Sequence, residues 1–442
     1  MNENSNEPDI FRDTDSVLIK GTLVNGEKKD IFIGDTGIIE EISDKYSGKY
    51  GEAEFIIDGT QSVASAGFVN THTHGAMTLL RGYADDMILQ DWLSQKIWPL
   101  EAHLQSDDVY WGTKLACTEM IRSGTIAFND MYFFMESAAK AADECGVKAV
   151  LCHGFIDFGN EEKRESEIKA TENLCSHIKN MNNPRIKAAT GPHAPYTVSK
   201  EGLKWCSAFS EEKDIPIHIH LSETGHEVKE CVEQNGVKPA KLLDECGCLS
   251  KRTIAAHCCW LDDEECELLG KKGVSVAHNP VSNMKLAVNR AMPYQKLIDS
   301  GANVTLGTDG CSSNNNLDIL EEMKTAALLQ KLFWNSPTVL PAHEAIKMAT
   351  ESGKKALGFG DGVLKEGSEA DIVLLKTNTP CMTPLFNWES NITYSCNSNA
   401  VDTVICNGRV LMHDGFIPGE EEICKKASET ANNLVKQYKD SL

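Results

Sequence analysis

His72-Thr73-His74 sets two imidazoles at alternate positions of a short apolar run. In an extended strand alternate residues share a face, so both rings point the same way, close enough to share a cation. A His-x-His pair alone is a weak signal. It gains weight from His220 and Asp309, which close two other apolar runs. Three nitrogens and one carboxylate oxygen suit Zn2+ or Fe2+ with a position left for water. His218 faces the same side of its run as His220 but lies one layer deeper, which reads as a supporting histidine. Cys246-Gly-Cys248 and Cys258-Cys259 are too closely spaced for a zinc-finger set, and no Cys-x-x-Cys answers them.

The elements that must position these residues are eight short β-like runs separated by longer amphipathic stretches, the pattern of parallel βα units. They begin at Ala66, Gly124, Lys148, Arg185, Ile215, Arg252, Gly273 and Ala302, and seven end in His or Asp: His72, Asp130, His153, His220, His257, His278 and Asp309. His193 lies three residues beyond the fourth, which ends at Thr190. Eight such repeats predict a (β/α)8 TIM-type barrel over residues 67–363, whose reactive groups gather at the C-terminal strand ends. Taken singly, a histidine at a strand end is usually a hydrogen-bonded packing residue. That reading weakens for a whole set. Helices are predicted near Asp107 to Arg122, Glu136 to Cys145 and Leu317 to Leu332.

Residues 1–66 and 364–442 have a different texture. Short β-like runs punctuated by Gly and Asp occur at both ends, among them Ser16 to Gly21, Ala370 to Leu375 and Val401 to Leu411. They predict a small β-sandwich domain assembled from the two chain ends, with a terminal helix. Against 43 Lys and Arg stand 65 Asp and Glu, a net charge of −22, with no basic block, which argues against nucleic-acid and anionic-membrane partners. No apolar run approaches a membrane span, and the N-terminus shows no leader pattern. The expectation is a cytoplasmic protein whose 16 cysteines are small, reduced core residues.

Gly67-Phe-Val-Asn-Thr-His-Thr-His, His220-Leu-Ser-Glu-Thr, Ala256-His257, His278-Asn-Pro-Val-Ser-Asn and Gly307-Thr-Asp-Gly resemble, in order, the motifs of the amidohydrolase superfamily. Within it the chain is most similar to the methylthioadenosine/S-adenosylhomocysteine deaminases, of the archaeal 5′-deoxyadenosine deaminase type. The resemblance covers nearly the whole chain. It implies hydrolytic deamination of the adenine ring of a nucleoside, one divalent metal, most simply Zn2+, held by His72, His74, His220 and Asp309, and a homo-oligomer, of four subunits by the family's habit. Glu223 matches the acid/base that protonates the purine ring, and His257 with Asp309 the pair that orients and deprotonates the attacking water. Glu101 matches the carboxylate that holds the ribose hydroxyls, and His193 a substrate contact beside the metal. His278 and Asn283 are expected at the pocket floor or the purine slot.

Binuclear members of the superfamily carry a carboxylated lysine at the end of the fourth strand. Lys187 sits on the order of 10 Å below that end, at about 3.3 Å per residue, so a mononuclear site is expected. On the 5′ side no arginine is matched to an amino-acid carboxylate. Arg164 lies in a charge run, and Arg81 and Arg290 have no assigned place, which favours small uncharged 5′ groups such as those of 5′-deoxyadenosine, methylthioadenosine or adenosine over S-adenosylhomocysteine or AMP. Two other readings share the scaffold: a deaminase or hydrolase of a free base or heterocycle (guanine, cytosine, pterin, triazine), and a non-catalytic binding homologue. The first has no use for Glu101, and the second predicts loss of a ligand or of Glu223. The pathway could be purine salvage, methionine salvage or both.

Overall fold

The computed structural model describes residues 16–442. The first 15 residues, which open the 1–66 segment and carry the stretch read above for the absence of a leader, lie outside the described residues.

The eight predicted runs form the eight strands of a parallel barrel. They are Phe68–His74, Thr125–Tyr132, Lys148–Phe155, Ile186–Ala188 continued by Gly191–Pro192, Ile217–Leu221, Thr253–His257, Ser275–His278, and Asn303–Leu306 continued by Asp309–Gly310. Strands one to four pair in order, as do five to eight. Two narrow seams close the ring. Thr190 bridges to Ile217 between the fourth and fifth strands, and the Asp309–Gly310 segment pairs with Thr73 and His74 of the first. The second seam matters most, because it sets Asp309 beside the His-x-His pair. It also explains Gly307: a Cβ there would lie 2.3 Å from Asn279 Oδ1 and 2.8 Å from His72 Cβ, so only glycine lets these strands approach.

The predicted helices appear as Ser106–Arg122, Met135–Cys145 and Ile319–Phe333. Local chemistry sets their ends. Gln105 and Asp108 form a capping box at the first, and Gly146 stops the second in left-handed backbone at φ 79°.

The two chain ends do assemble. Strands from residues 17–66 and 372–412 join in one mixed eight-stranded sheet, in which Ser62–Ala66 pairs antiparallel with Ile372–Lys376. Alternation assigns its faces. Ala64, Ile372, Leu374, Ile405 and Val410 pack into a core private to the sheet, while Val63, Val373, Leu375, Val404 and Leu411 join the core of the barrel. A terminal helix, Glu420–Ser441, then crosses the Ser106–Arg122 helix, with Arg122 Nε donating to Glu420 Oε1 at 2.7 Å. Among the described residues no helix is long and apolar enough to cross a membrane.

One buried charge cluster ties sheet to barrel. Asp371, which precedes a sheet strand, accepts from Lys148 of the third barrel strand and from Lys354, and its other oxygen accepts the Asn407 N–H at 2.7 Å. All three charged residues are at most 5% exposed. Removing the carboxylate takes the acidic partner from the Lys354 ammonium in the interior and leaves Lys148 with only the half-exposed Glu369 carboxylate. Asp371→Ala is therefore expected to cost about 3–5 kcal/mol in chemical denaturation, whereas Lys365→Ala, which breaks the exposed pair with Asp361, costs less than about 1 kcal/mol.

Candidate metal centre

The C-terminal ends of strands one, five, six and eight meet in a buried cluster. One ligand atom each from His72, His220, His257 and Asp309 lies within 4.8 Å of the others, and all four residues are buried. His74 adjoins them, its Nε2 at 3.2 Å from Asp309 Oδ1 and 3.3 Å from His220 Nε2. Backbone bends aim several of these groups. Ser222, His257 and Asp309 adopt left-handed conformations at φ 49°, 69° and 63°, rare for residues with a Cβ and typical of over-determined functional sites.

The hydrogen bonds around the rings define what the centre can hold. His74 Nδ1 lies 2.7 Å from the Met131 carbonyl and His220 Nδ1 lies 2.7 Å from the His193 carbonyl. A carbonyl only accepts, so both Nδ1 atoms carry a proton, and in the neutral rings both Nε2 atoms present lone pairs; in the absence of a metal, burial notwithstanding, Asp309 raises the His74 pKa to about 9. His72 Nε2 is buried with no hydrogen-bond partner, 3.4 Å from Asp309 Oδ1. Lone pairs and a carboxylate packed this closely repel one another unless a cation lies among them. The donor set therefore fits a divalent metal. Asp309 Oδ2 is turned aside, taking the hydroxyls of Ser282 at 2.6 Å and Ser313 at 2.8 Å, which leaves Oδ1 for the centre.

His257 is oriented differently. The Asn283 amide donates to its Nδ1 at 2.9 Å, while Asn283 Oδ1 takes the Cys259 thiol at 3.2 Å. Burial lowers the ring's pKa to about 3, so it stays neutral with its proton on Nε2. Asn283, expected at the pocket floor, thus acts through His257. Glu223 Oε1 lies 3.8 Å from that same Nδ1. Burial first, then the nearby Asp309 charge, pushes the Glu223 carboxyl well above the usual carboxylate range. Glu223 does not start a helix. Thr224 caps the following Gly225–Asn235 helix, and the Glu227 carboxylate pins the Ser222 and Glu223 N–H groups at 2.8 Å each.

Above the cluster opens a cavity walled by residues from the strand ends and the segments that follow them. His74, His193, His220, Glu223, His257, Asp309 and Glu101 all line it, with His72 beneath. The His193 ring sits 4.7 Å from that of His220, and burial lowers its pKa to about 3. Glu101 accepts from Tyr132 Oη at 2.6 Å, and burial raises its pKa against that bond. The rest of the wall is aromatic and aliphatic, including Trp92, Trp98, Phe133 and Ile156. Among the described residues no lysine or arginine lines it. Arg164 pairs with Asp157 at 3.7 Å, Arg81 binds Glu119, and Arg290 lies over the Trp260 ring.

Not every strand-end group reaches the cavity. His153 turns outward to Glu167 at 2.6 Å, and His278 is buried against Gln330 at 3.3 Å rather than shaping the pocket. Asp130 accepts the Gly75 N–H at 3.0 Å. Lys187 lies at the opposite end of the barrel and donates to the Gly358 carbonyl. Tyr132 and Ser313 carried no signal in the sequence, and Ser282 lay inside the His278-to-Asn283 motif with no role assigned to it. Only the i+2 position of Tyr132 after Asp130 could have hinted at a residue above the strand end.

A parallel barrel with a histidine and aspartate cluster at its C-terminal mouth defines a metal-dependent hydrolase scaffold. The Amidohydrolase family profile matches residues 63–411, and the chain belongs to that family. It is 64% identical over 430 residues to a 5′-deoxyadenosine deaminase of Methanoregula boonei, covering 97% of each chain. It is 49% identical over 421 residues to 5-methylthioadenosine/S-adenosylhomocysteine deaminase 1 of Archaeoglobus fulgidus, covering 95% of this chain and 99% of that one. Among solved structures, an adenosine deaminase from Xanthomonas campestris with bound zinc superposes with a TM-score of 0.89 at 32% identity, over 95% of this chain and 98% of that one.

Metal content separates the cluster from its look-alikes. The purified protein is expected to carry about one equivalent of divalent metal by plasma mass spectrometry. His72→Ala should lose it, while His278→Ala, equally buried but outside the cluster, should keep it.

Proposed function

We propose that the chain catalyses metal-dependent hydrolytic deamination of the adenine ring of small, 5′-uncharged adenosines, 5′-deoxyadenosine and methylthioadenosine foremost, to the inosine analogue and ammonia. The observation that carries this reading is one cavity lined by a buried Glu223, the histidine and aspartate cluster, and a separate carboxylate, Glu101. Full-length identity to 5′-deoxyadenosine deaminases supports the same chemistry.

His72, His74, His220 and Asp309 would hold a single Zn2+, because their free lone pairs converge. His257 is assigned a different role, since its Nε2 carries a proton. Bound there, the metal supplies the Lewis acidity that brings the pKa of water to about 7. His257 Nε2–H donates to the attacking oxygen and orients it, and Asp309 accepts its proton. Glu223, held in a buried site that favours its neutral form, protonates the purine ring nitrogen, then takes the hydroxyl proton of the C6 adduct and passes it to the leaving amine, and the proton accepted by Asp309 restores it. Glu101, steadied by Tyr132, accepts from the ribose hydroxyls, and the apolar wall receives the 5′ group. With no cationic side chain there, a 5′ carboxylate or phosphate would be buried without a partner.

Ammonia release should be measured with the metal-loaded enzyme on 5′-deoxyadenosine, methylthioadenosine, adenosine, S-adenosylhomocysteine, AMP, guanine and cytosine. The first three are expected to be deaminated with AMP inert. Release from guanine or cytosine alone would replace the nucleoside reading with a free-base one. Glu223→Gln is expected to retain metal and lose at least about 100-fold in kcat. Unchanged turnover would remove Glu223 from the reaction.

A further inference from the structure

The three histidines proposed as ligands differ in how their far nitrogens are held. His74 and His220 each donate Nδ1–H directly to a backbone carbonyl. His72, at the barrel axis, bonds no carbonyl through Nδ1. That nitrogen lies 2.7 Å from His218 Nε2, His218 Nδ1 lies 3.6 Å from Cys152 Sγ, and Cys152 Sγ lies 3.4 Å from the Asp130 carbonyl. All three side chains belong to residues with no exposed surface. We propose that Cys152 and His218 are positioning residues that transmit the acceptor character of the Asp130 carbonyl to His72 and fix the tautomer in which His72 Nε2 is free to bind metal. The proposal rests on the reading of His72 as a ligand.

The direction of every proton follows from the far end. A carbonyl only accepts, so the Cys152 thiol donates to Asp130. A thiol has one proton, so its sulfur can only accept from His218, which places a proton on His218 Nδ1. The ring is neutral in this dry interior, so His218 Nε2 must accept. His72 then donates through Nδ1, and its Nε2 is left with the lone pair. That nitrogen is the buried one found without a partner. Reversing the chain would put a proton on His72 Nε2, where it blocks the metal. It would also take the thiol proton away from the Asp130 carbonyl. Each proposed ligand histidine is thus tied to a main-chain carbonyl, two directly and the third through two side chains.

Zinc transfer to a chromogenic chelator and long-range 15N–1H NMR of the metal-free protein test the relay, with Cys152→Val, Cys152→Ser and His72→Ala compared. Valine keeps the bulk but can neither donate nor accept, whereas a serine hydroxyl can do both. Cys152→Val is expected to release zinc about 10–100 times faster than wild type and to show His72 in mixed tautomers, and Cys152→Ser to restore both. Release from Cys152→Val at the wild-type rate, or a serine variant as impaired as the valine one, would overturn the relay. Should the valine variant not fold, the wild-type spectrum decides: His72 protonated at Nδ1 supports the relay, and at Nε2 overturns it. His72→Ala isolates the underlying assignment, because zinc retention there would refute the ligand reading itself.

Discussion

Lone pairs that repel one another govern this molecule. When neutral, His74 and His220 present unprotonated Nε2 atoms 3.3 Å apart, and Asp309 Oδ1 stands 3.2 Å from the first of them, at the C-terminal end of the barrel. Between neutral rings hydrogen bonding cannot relieve this contact, because each has spent its only proton on a carbonyl. Positive charge reconciles the groups, as a bound metal or, without one, as a second proton on His74, whose pKa is raised to about 9 by Asp309 against burial, and the fold does much to hold them in place for it. The seam between strands one and eight, the glycine that lets it close, and the left-handed turns at His257 and Asp309 all bring these side chains to one point.

Around that point, burial assigns the remaining chemistry. Burial lowers the pKa values of His257 and His193 to about 3 and pushes the Glu223 carboxyl well above its usual range, so one desolvated region supplies hydrogen-bond direction and favours an acid. Tyr132 holds Glu101 in the same cavity. Away from the mouth, the sheet built from both chain ends is fastened to the barrel by Asp371 and two lysines. The terminal helix packs against the Ser106–Arg122 helix and reaches the short helix Trp98–Glu101. Parts of the chain distant in sequence therefore steady the substrate-facing wall.

The barrel was legible in the sequence because parallel βα units repeat and their apolar runs end in polar residues. His72 and His74 could be read as facing one way because strand periodicity is local. His153 and His278 misled for the same reason. A strand end tells that a residue is near the mouth, but whether its side chain turns inward, outward to Glu167 or toward Gln330 depends on neighbouring strands and helices. The supporting groups were invisible for a related cause. Ser282, Ser313, Tyr132 and Cys152 have ordinary chemistry, and only tertiary contact gives them an Asp309, a Glu101 or a His218 to act on. The lack of a cationic 5′ contact was inferred from a missing match, and the cavity wall, with no lysine or arginine among the described residues, gives it a physical basis.

The most direct test of the account is anomalous diffraction at the zinc edge from crystals of the zinc-loaded protein. A single peak is predicted, with nitrogens of His72, His74 and His220 at about 2.0–2.1 Å, an Asp309 oxygen at about 2.0–2.2 Å, and His257 outside bonding distance. A peak bonded to His257 in place of His74, a pair of peaks, or none at the cluster would contradict it.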